Sequence, residues 1–193
     1  IKVNAVGADS MANLEDIRMR GSCHTLPQLF VDAVVENMMI VRCNQVFTID
    51  SRVVLHTVPY EGSMSNIALG SLSADGKMML IAETHEGLVR LHTWTKQKEW
   101  IYLQSSEVEV ETTSSLHQIA LTLAHDGSTL ALGFDTLLHI YSWRQVDWLL
   151  TSTIDAASGS ILSVSFSSDA SRLAFSTHET GGGASLSVYA RAL

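Results

Sequence analysis

Three times along this chain a tight turn built on aspartate separates two short, apolar-rich stretches. The turn reads Ser-Ala-Asp-Gly at 73–76, Ala-His-Asp-Gly at 124–127 and Ser-Ser-Asp-Ala at 167–170. Asp-Gly in this setting is a strong hairpin signal: glycine enters the positive-φ region readily, and the carboxylate bonds the backbone two residues on. Leu69 and Leu72 lead into the first turn and Met78 and Leu80 leave it. Leu121, Leu123, Leu130 and Leu132 flank the second, and Val164, Phe166, Leu173 and Phe175 the third. Farther on, Val89, Leu91 and Thr93 alternate with Arg90 and His92, a period of two that marks a strand. A chain that repeats this device is held to β structure.

The device belongs to a longer unit. Residues 66–94, 117–143 and 161–190 each run through two strands about the turn, a polar break and a third strand ending in aromatic residues. The third strands fall at Leu88–Thr93, Leu137–Ser142 and Ser185–Tyr189, and fourth strands at Trp100–Gln104 and Trp148–Ser152. Asp75 to Asp126 is 51 residues and Asp126 to Asp169 is 43, near the period of roughly 40–50 at which four-stranded propeller blades recur. An earlier unit at 30–58 divides into strands near 30–35, 38–42, 45–50 and 53–58, with turns at Asn37, Asn44 and Ser51-Arg52. Residues 8–28 read as an irregular lead-in with a helical turn or two at Leu14–Met19, and Ile1–Val6 as a lone strand. The last unit stops at Leu193 just after its third strand, which leaves an open edge. Ile1–Val6 could supply the missing strand; otherwise the chain is expected to be part of a larger polypeptide, or an open half-propeller completed by a partner.

Composition narrows the partners. With 46% hydrophobic residues among 193, the chain can bury a sizeable core. A mean hydropathy of +0.18 is high for a soluble monomer, so part of the surface is expected to be covered. The formal charge of −8 argues against nucleic acid or an anionic membrane as the main partner, since both call for basic patches. Cys23 and Cys43 form neither a disulfide framework nor a metal pair, and apolar runs are too short for a membrane helix. These features point to the cytoplasm or nucleus.

On the turns and aromatic strand ends quoted above, the sequence resembles the WD-repeat family of β-propellers. Positions answering to the family's Trp-Asp pair read His92-Thr93, Tyr141-Ser142 and Tyr189-Ala190. The Gly-His positions fall near Gly62-Ser63, Thr113-Ser114 and Ala156-Ala157, none of them a Gly-His pair, so the family's bracing His–Asp network does not carry over. The resemblance implies an all-β fold: a lead-in at 1–28, then four-stranded antiparallel blades at about 29–59, 60–105, 112–154 and 158–193 in an incomplete ring. It further implies a non-catalytic protein-interaction scaffold within a larger eukaryotic assembly, bound to other subunits and needing no cofactor. Two alternatives stand beside it: a propeller enzyme such as a lactonase-type hydrolase with a central metal, and a nucleic-acid-binding propeller.

No residue pattern argues for chemistry. His24, His56, His85, His92, His117, His125, His139 and His178 form no HxH or HExxH grouping and read as loop histidines on one face. Asp75, Gly76, Asp126, Gly127 and Asp169 are turn residues. Glu107, Glu109 and Glu111 alternate along what reads as an extended linker, and Gly181 to Gly183 as a flexible turn. No catalytic or metal-binding residue is assigned. Trp94 and Trp100 flank one strand pair and Trp143 and Trp148 the next, which suits packing between blades, or else contact with a partner.

Overall fold

The computed structural model describes residues 4–7, 10–13, 28–32, 37–42, 45–49, 55–58, 67–73, 75–85, 88–109, 119–156, 159–179 and 181–190. Strands β1 (Asn4–Gly7) and β2 (Ser10–Asn13) form a hairpin. The first four-stranded sheet holds β3 (Gln28–Asp32), β4 (Asn37–Arg42), β5 (Gln45–Ile49) and β6 (Leu55–Val58). The second holds β7 (Ile67–Leu72), β8 (Met78–His85), β9 (Leu88–Lys96) and β10 (Trp100–Glu109). In the third lie β11 (Ile119–Leu123), β12 (Thr129–Phe134), β13 (Leu137–Trp143) and β14 (Trp148–Asp155). The fourth has three strands among the described residues: β15 (Gly159–Phe166), β16 (Arg172–Glu179) and β17 (Ala184–Ala190).

Every pairing is antiparallel and each sheet runs in chain order from its first strand to its last. The first strands lie side by side: β11 neighbours β7 on one flank and β15 on the other, and β7 meets β3 and β4. Successive sheets thus stack face to face about a common axis. The chain is all-β, and its sheets are the blades of a partial β-propeller.

Packing follows from alternation along the middle strands. Met79 and Ile81 of β8 face the first blade and join Val46, Val58, Leu72, Trp94 and Trp100. Leu80 and Ala82, one residue out of phase, face the third blade with Leu123, Leu130, Leu132 and Trp148. Ala131 of β12 turns the other way, toward Ile161, Leu173 and Phe175 of the fourth blade. A strand between two neighbours is thus buried on both faces, and all six residues of β12 are. Gly133 marks a close approach of the third blade to the fourth, because a Cβ there would sit 2.7 Å from Ile161 Cγ2.

Several expectations change. Asn4–Gly7 is not a lone strand: it pairs with Ser10–Asn13, residues assigned to an irregular lead-in, and so does not complete the fourth blade. Leu14–Met19 and the turns at Asn44 and Ser51-Arg52 lie outside the described residues, whereas Asn37 begins β4. Glu107 and Glu109 belong to β10 rather than to a linker, with Val108 packed against the core. The Trp-Asp register also slips. Met78 pairs with Thr95, Thr129 with Ser142 and Arg172 with Ala190, so Trp94, not His92, stands where Tyr141 and Tyr189 stand. The cause is a β8–β9 hairpin longer than β12–β13, which misleads any count from the start of the third strand. Among the described residues no helix is long and apolar enough to cross a membrane.

Candidate functional site

The three aspartate turns share one geometry. In the first, Asp75 Oδ1 accepts from Ser73 Oγ at 2.7 Å and from the Lys77 amide at 3.0 Å, while Gly76 takes φ +67°. Asp126 accepts from the Ser128 amide at 2.9 Å, with Gly127 at φ +70°. Asp169 accepts from Ser167 Oγ at 2.6 Å and from the Ser171 amide at 3.0 Å. Those donors, Ser167 Oγ foremost, draw its carboxyl down to about 2. Ala170 follows at φ +54°, a left-handed position that glycine holds in the other two turns. The Asp75 amide also donates to the His125 carbonyl at 3.1 Å, tying neighbouring blades at their turns. These residues are therefore bracing elements at one end of the blades.

The tryptophans lie between blades. Trp94 and Trp100 are buried against the first blade. Trp148, which opens β14, is buried against the second, and its Nε1 donates to the fully buried Thr93 Oγ1 at 2.9 Å. Trp143 is half-buried, its ring 5.1 Å from that of Trp148. An acidic residue precedes each of the two tryptophans that open a fourth strand, Glu99 before Trp100 and Asp147 before Trp148. Asp147 Oδ1 caps the Trp148 amide at 2.7 Å and accepts from Ser106 Oγ of the preceding blade at 2.6 Å. Trp94, Trp100 and Trp148 thus have little surface to offer a partner.

Most of the large exposed apolar residues lie instead on the outer strands, with Leu162 on β15 and Val146 in the β13–β14 turn the exceptions. Ile101, Tyr102 and Leu103 stand out on β10, and Leu149 and Leu150 on β14. On β17, Leu186 is 72% exposed, Val188 60% and Tyr189 43%. Beside β17, a cleft of about 630 Å³ opens between the third and fourth blades. Its walls include Ile140 and Ile154 on one side, Leu173 and Tyr189 on the other, and Arg144 and Arg172.

One polar group escaped the sequence reading. His92 is not a loop residue but a buried one in β9, with Nε2 3.1 Å from Glu83 Oε2 and Nδ1 3.2 Å from Tyr102 Oη. Burial lowers its pKa below the ordinary 6.5 against the opposing pull of the Glu83 bond, which favours a neutral imidazole hydrogen-bonded to Glu83. The bonding pattern then assigns the proton to Nε2, with Tyr102 donating to Nδ1. His139 occupies the same register position in the third blade, but Phe134 stands where Glu83 does and meets its ring edge-on at 4.8 Å. Only a diagonal comparison of paired strands would have revealed this. Glu107 bonds Arg90 across the sheet at 2.7 Å. Gly182, at φ +87°, turns the chain from β16 into β17. Among the described residues no three His, Cys, Asp or Glu side chains gather to hold a metal.

No protein-family model matches the sequence. A search of curated proteins likewise finds none similar to it. Solved structures do share the fold. A protein from Lactobacillus plantarum superposes on all of the chain with a TM-score of 0.65 at 13% identity. Kuenenia stuttgartiensis hydrazine synthase matches 93% of it at 0.60 and 12% identity. The β-propeller domain of Myceliophteria thermophila Cps50 (Swd1) matches 85% at 0.59 and 11% identity. The β-propeller architecture is shared. The chain spans 61%, 49% and 52% of those three proteins respectively, and identities this low carry the fold alone.

Proposed function

We propose that the protein is a non-catalytic interaction scaffold, a WD-like propeller subunit of a larger eukaryotic assembly in the cytoplasm or nucleus. The observation that carries this reading is the apolar surface on β10, β14 and β17, the outermost strands of their sheets. Large exposed side chains gathered on such strands mark surface that a partner covers, whereas singly scattered ones need no explanation. The net charge of −8 favours protein partners over nucleic acid. Buried tryptophans and bonded turns hold the blades rigid, which lowers the ordering cost of binding.

The test is to recover the full-length protein from its source and identify what co-purifies with it. Defined protein partners are expected, and Leu149→Asp with Leu150→Asp on β14 should reduce their recovery. Recovery of the protein alone, by gentle lysis and after cross-linking, would overturn the reading.

A further inference from the structure

The second and third blades pack around Trp148 but part again at the rim. A groove of about 630 Å³ remains there between β10 and the β13–β14 hairpin, in sheets whose four strands are all among the described residues. Its walls include Gln104 and Ser106 of β10, His139 and Tyr141 of β13, and Asp147 and Trp148 where β14 begins. The hydrogen-bond donors around Asp147 are spent within the protein. Asp147 Oδ1 accepts from the Ser106 hydroxyl at 2.6 Å, the Trp148 backbone amide at 2.7 Å and the Gln104 side-chain amide at 3.2 Å. That side-chain amide also donates to Ser106 Oγ at 3.2 Å. Asp147 Oδ2 and Gln104 Oε1 are left without a donor among the described residues. What this part of the groove offers is therefore acceptors, one of them charged, held in place by their own bonds. No lysine or arginine is among the residues lining it, and burial lowers the His139 pKa, which favours the neutral ring. Tyr141 and Trp148, both buried, add aromatic surface against which a cation is stabilised.

We propose that this groove binds a guanidinium group, the end of an arginine side chain. Charge alone would admit an ammonium as well. The guanidinium carries five donors in a planar fork, which suits acceptors on two separate blades, Gln104 Oε1 on the second and Asp147 Oδ2 on the third. Its flat face also packs on aromatic rings, as a compact, strongly hydrated ammonium does less well. The proposal does not depend on the scaffold reading. Asp147, Gln104 and the two rings carry it whether the arginine belongs to another molecule or to the protein's own chain.

The probe is N-acetyl-arginine methylamide, added to the full chain and followed by the resonance of the Trp148 indole N–H, which its bond to Thr93 fixes between the blades. Saturable binding is expected, with a Kd on the order of a millimolar for one side chain. The citrulline analogue, similar in size but uncharged, should bind at least about tenfold more weakly. Asp147→Asn keeps an oxygen to cap Trp148 and replaces the free charged one with an amide donor. It should weaken the arginine probe by a similar factor, with a melting curve to confirm the fold. Leu150→Lys, at an exposed position on the groove wall, sets a competing cation there and should do the same. An arginine of the protein's own chain in the groove would instead block the probe and show as a slowly exchanging guanidinium signal that Asp147→Asn abolishes; this supports the site and names its source. Three results overturn the proposal: citrulline or lysine analogues binding as tightly, probe binding unchanged in Asp147→Asn, or neither probe binding nor a protected guanidinium. Each of them leaves the scaffold reading standing, which fails separately if no protein co-purifies.

Discussion

The junction between the second and third blades and the junction between the third and fourth are built on the same register but finished differently. At the first, β14 covers β13, Trp148 fills the space between sheets and its Nε1 satisfies Thr93. At the second, β17 has no such cover among the described residues and a cleft of about 630 Å³ remains. Ala131, Leu138, Ile161, Leu173 and Phe175 bury a core there between the two sheets. A blade thus consists of an inner part that propagates the stack and an outer strand that seals it. The tryptophan opening that strand is the seal.

Removing the seal should turn the closed junction into a copy of the open one. Trp148→Ala is expected to cost ~3–5 kcal/mol, by lost burial and the cavity left behind, read as a drop in denaturation midpoint. Trp148→Phe keeps most of the ring but strands the Thr93 hydroxyl, for about 1–3 kcal/mol. A loss under about 1 kcal/mol for the alanine variant would mean that the two junctions do not differ as described.

The turns offer a second contrast. Gly127→Ala forces a side chain onto φ +70° and brings its Cβ to 2.9 Å from Met78 Cβ. Backbone strain and overpacking together should cost about 1–3 kcal/mol in a chemical melt.

The two strand histidines separate by pH. The folded pKa of His92 lies below the ordinary 6.5, chiefly through burial. The unfolded chain therefore takes up a proton first as pH falls. This contribution to stability is complete above about 6.5 and is lost as pH drops through the lower folded value. His139, also lowered by burial, acts in the same direction. Melting temperature should decline on acidification below about 6.5, and His92→Gln should flatten that decline by removing the titrating group. An unchanged slope in the variant would mean that folding does not shift the His92 pKa.

The smallest effect is expected at Ala170. Glycine there relieves the positive φ but loosens the unfolded chain, leaving a net gain of a few tenths to ~1 kcal/mol, opposite in sign to Gly127→Ala. A loss of stability would show that the Asp169 turn holds alanine without strain.

Local chemistry was legible from the residues. The Asp turns and the third strands follow from turn preference and short-range alternation, and the structure places them close to where they were expected, as it does the start of each fourth strand, though β10 runs on to Glu109. The Trp-Asp register was not, because the longer β8–β9 hairpin shifts it without altering the local pattern. Nor was the burial of His92. In isolation it looks like the polar partner in an alternating strand; Glu83 and Tyr102 on adjoining strands let it be buried.

What the amino-acid order determined by itself was the hairpin and its recurrence, since both depend on residues a few positions apart. Tertiary structure decided which face of each strand meets which blade, where the tryptophans lodge and where a cleft is left. Stacked sheets bury both faces of a middle strand, and the alternation that announces a strand then no longer says which side is inside.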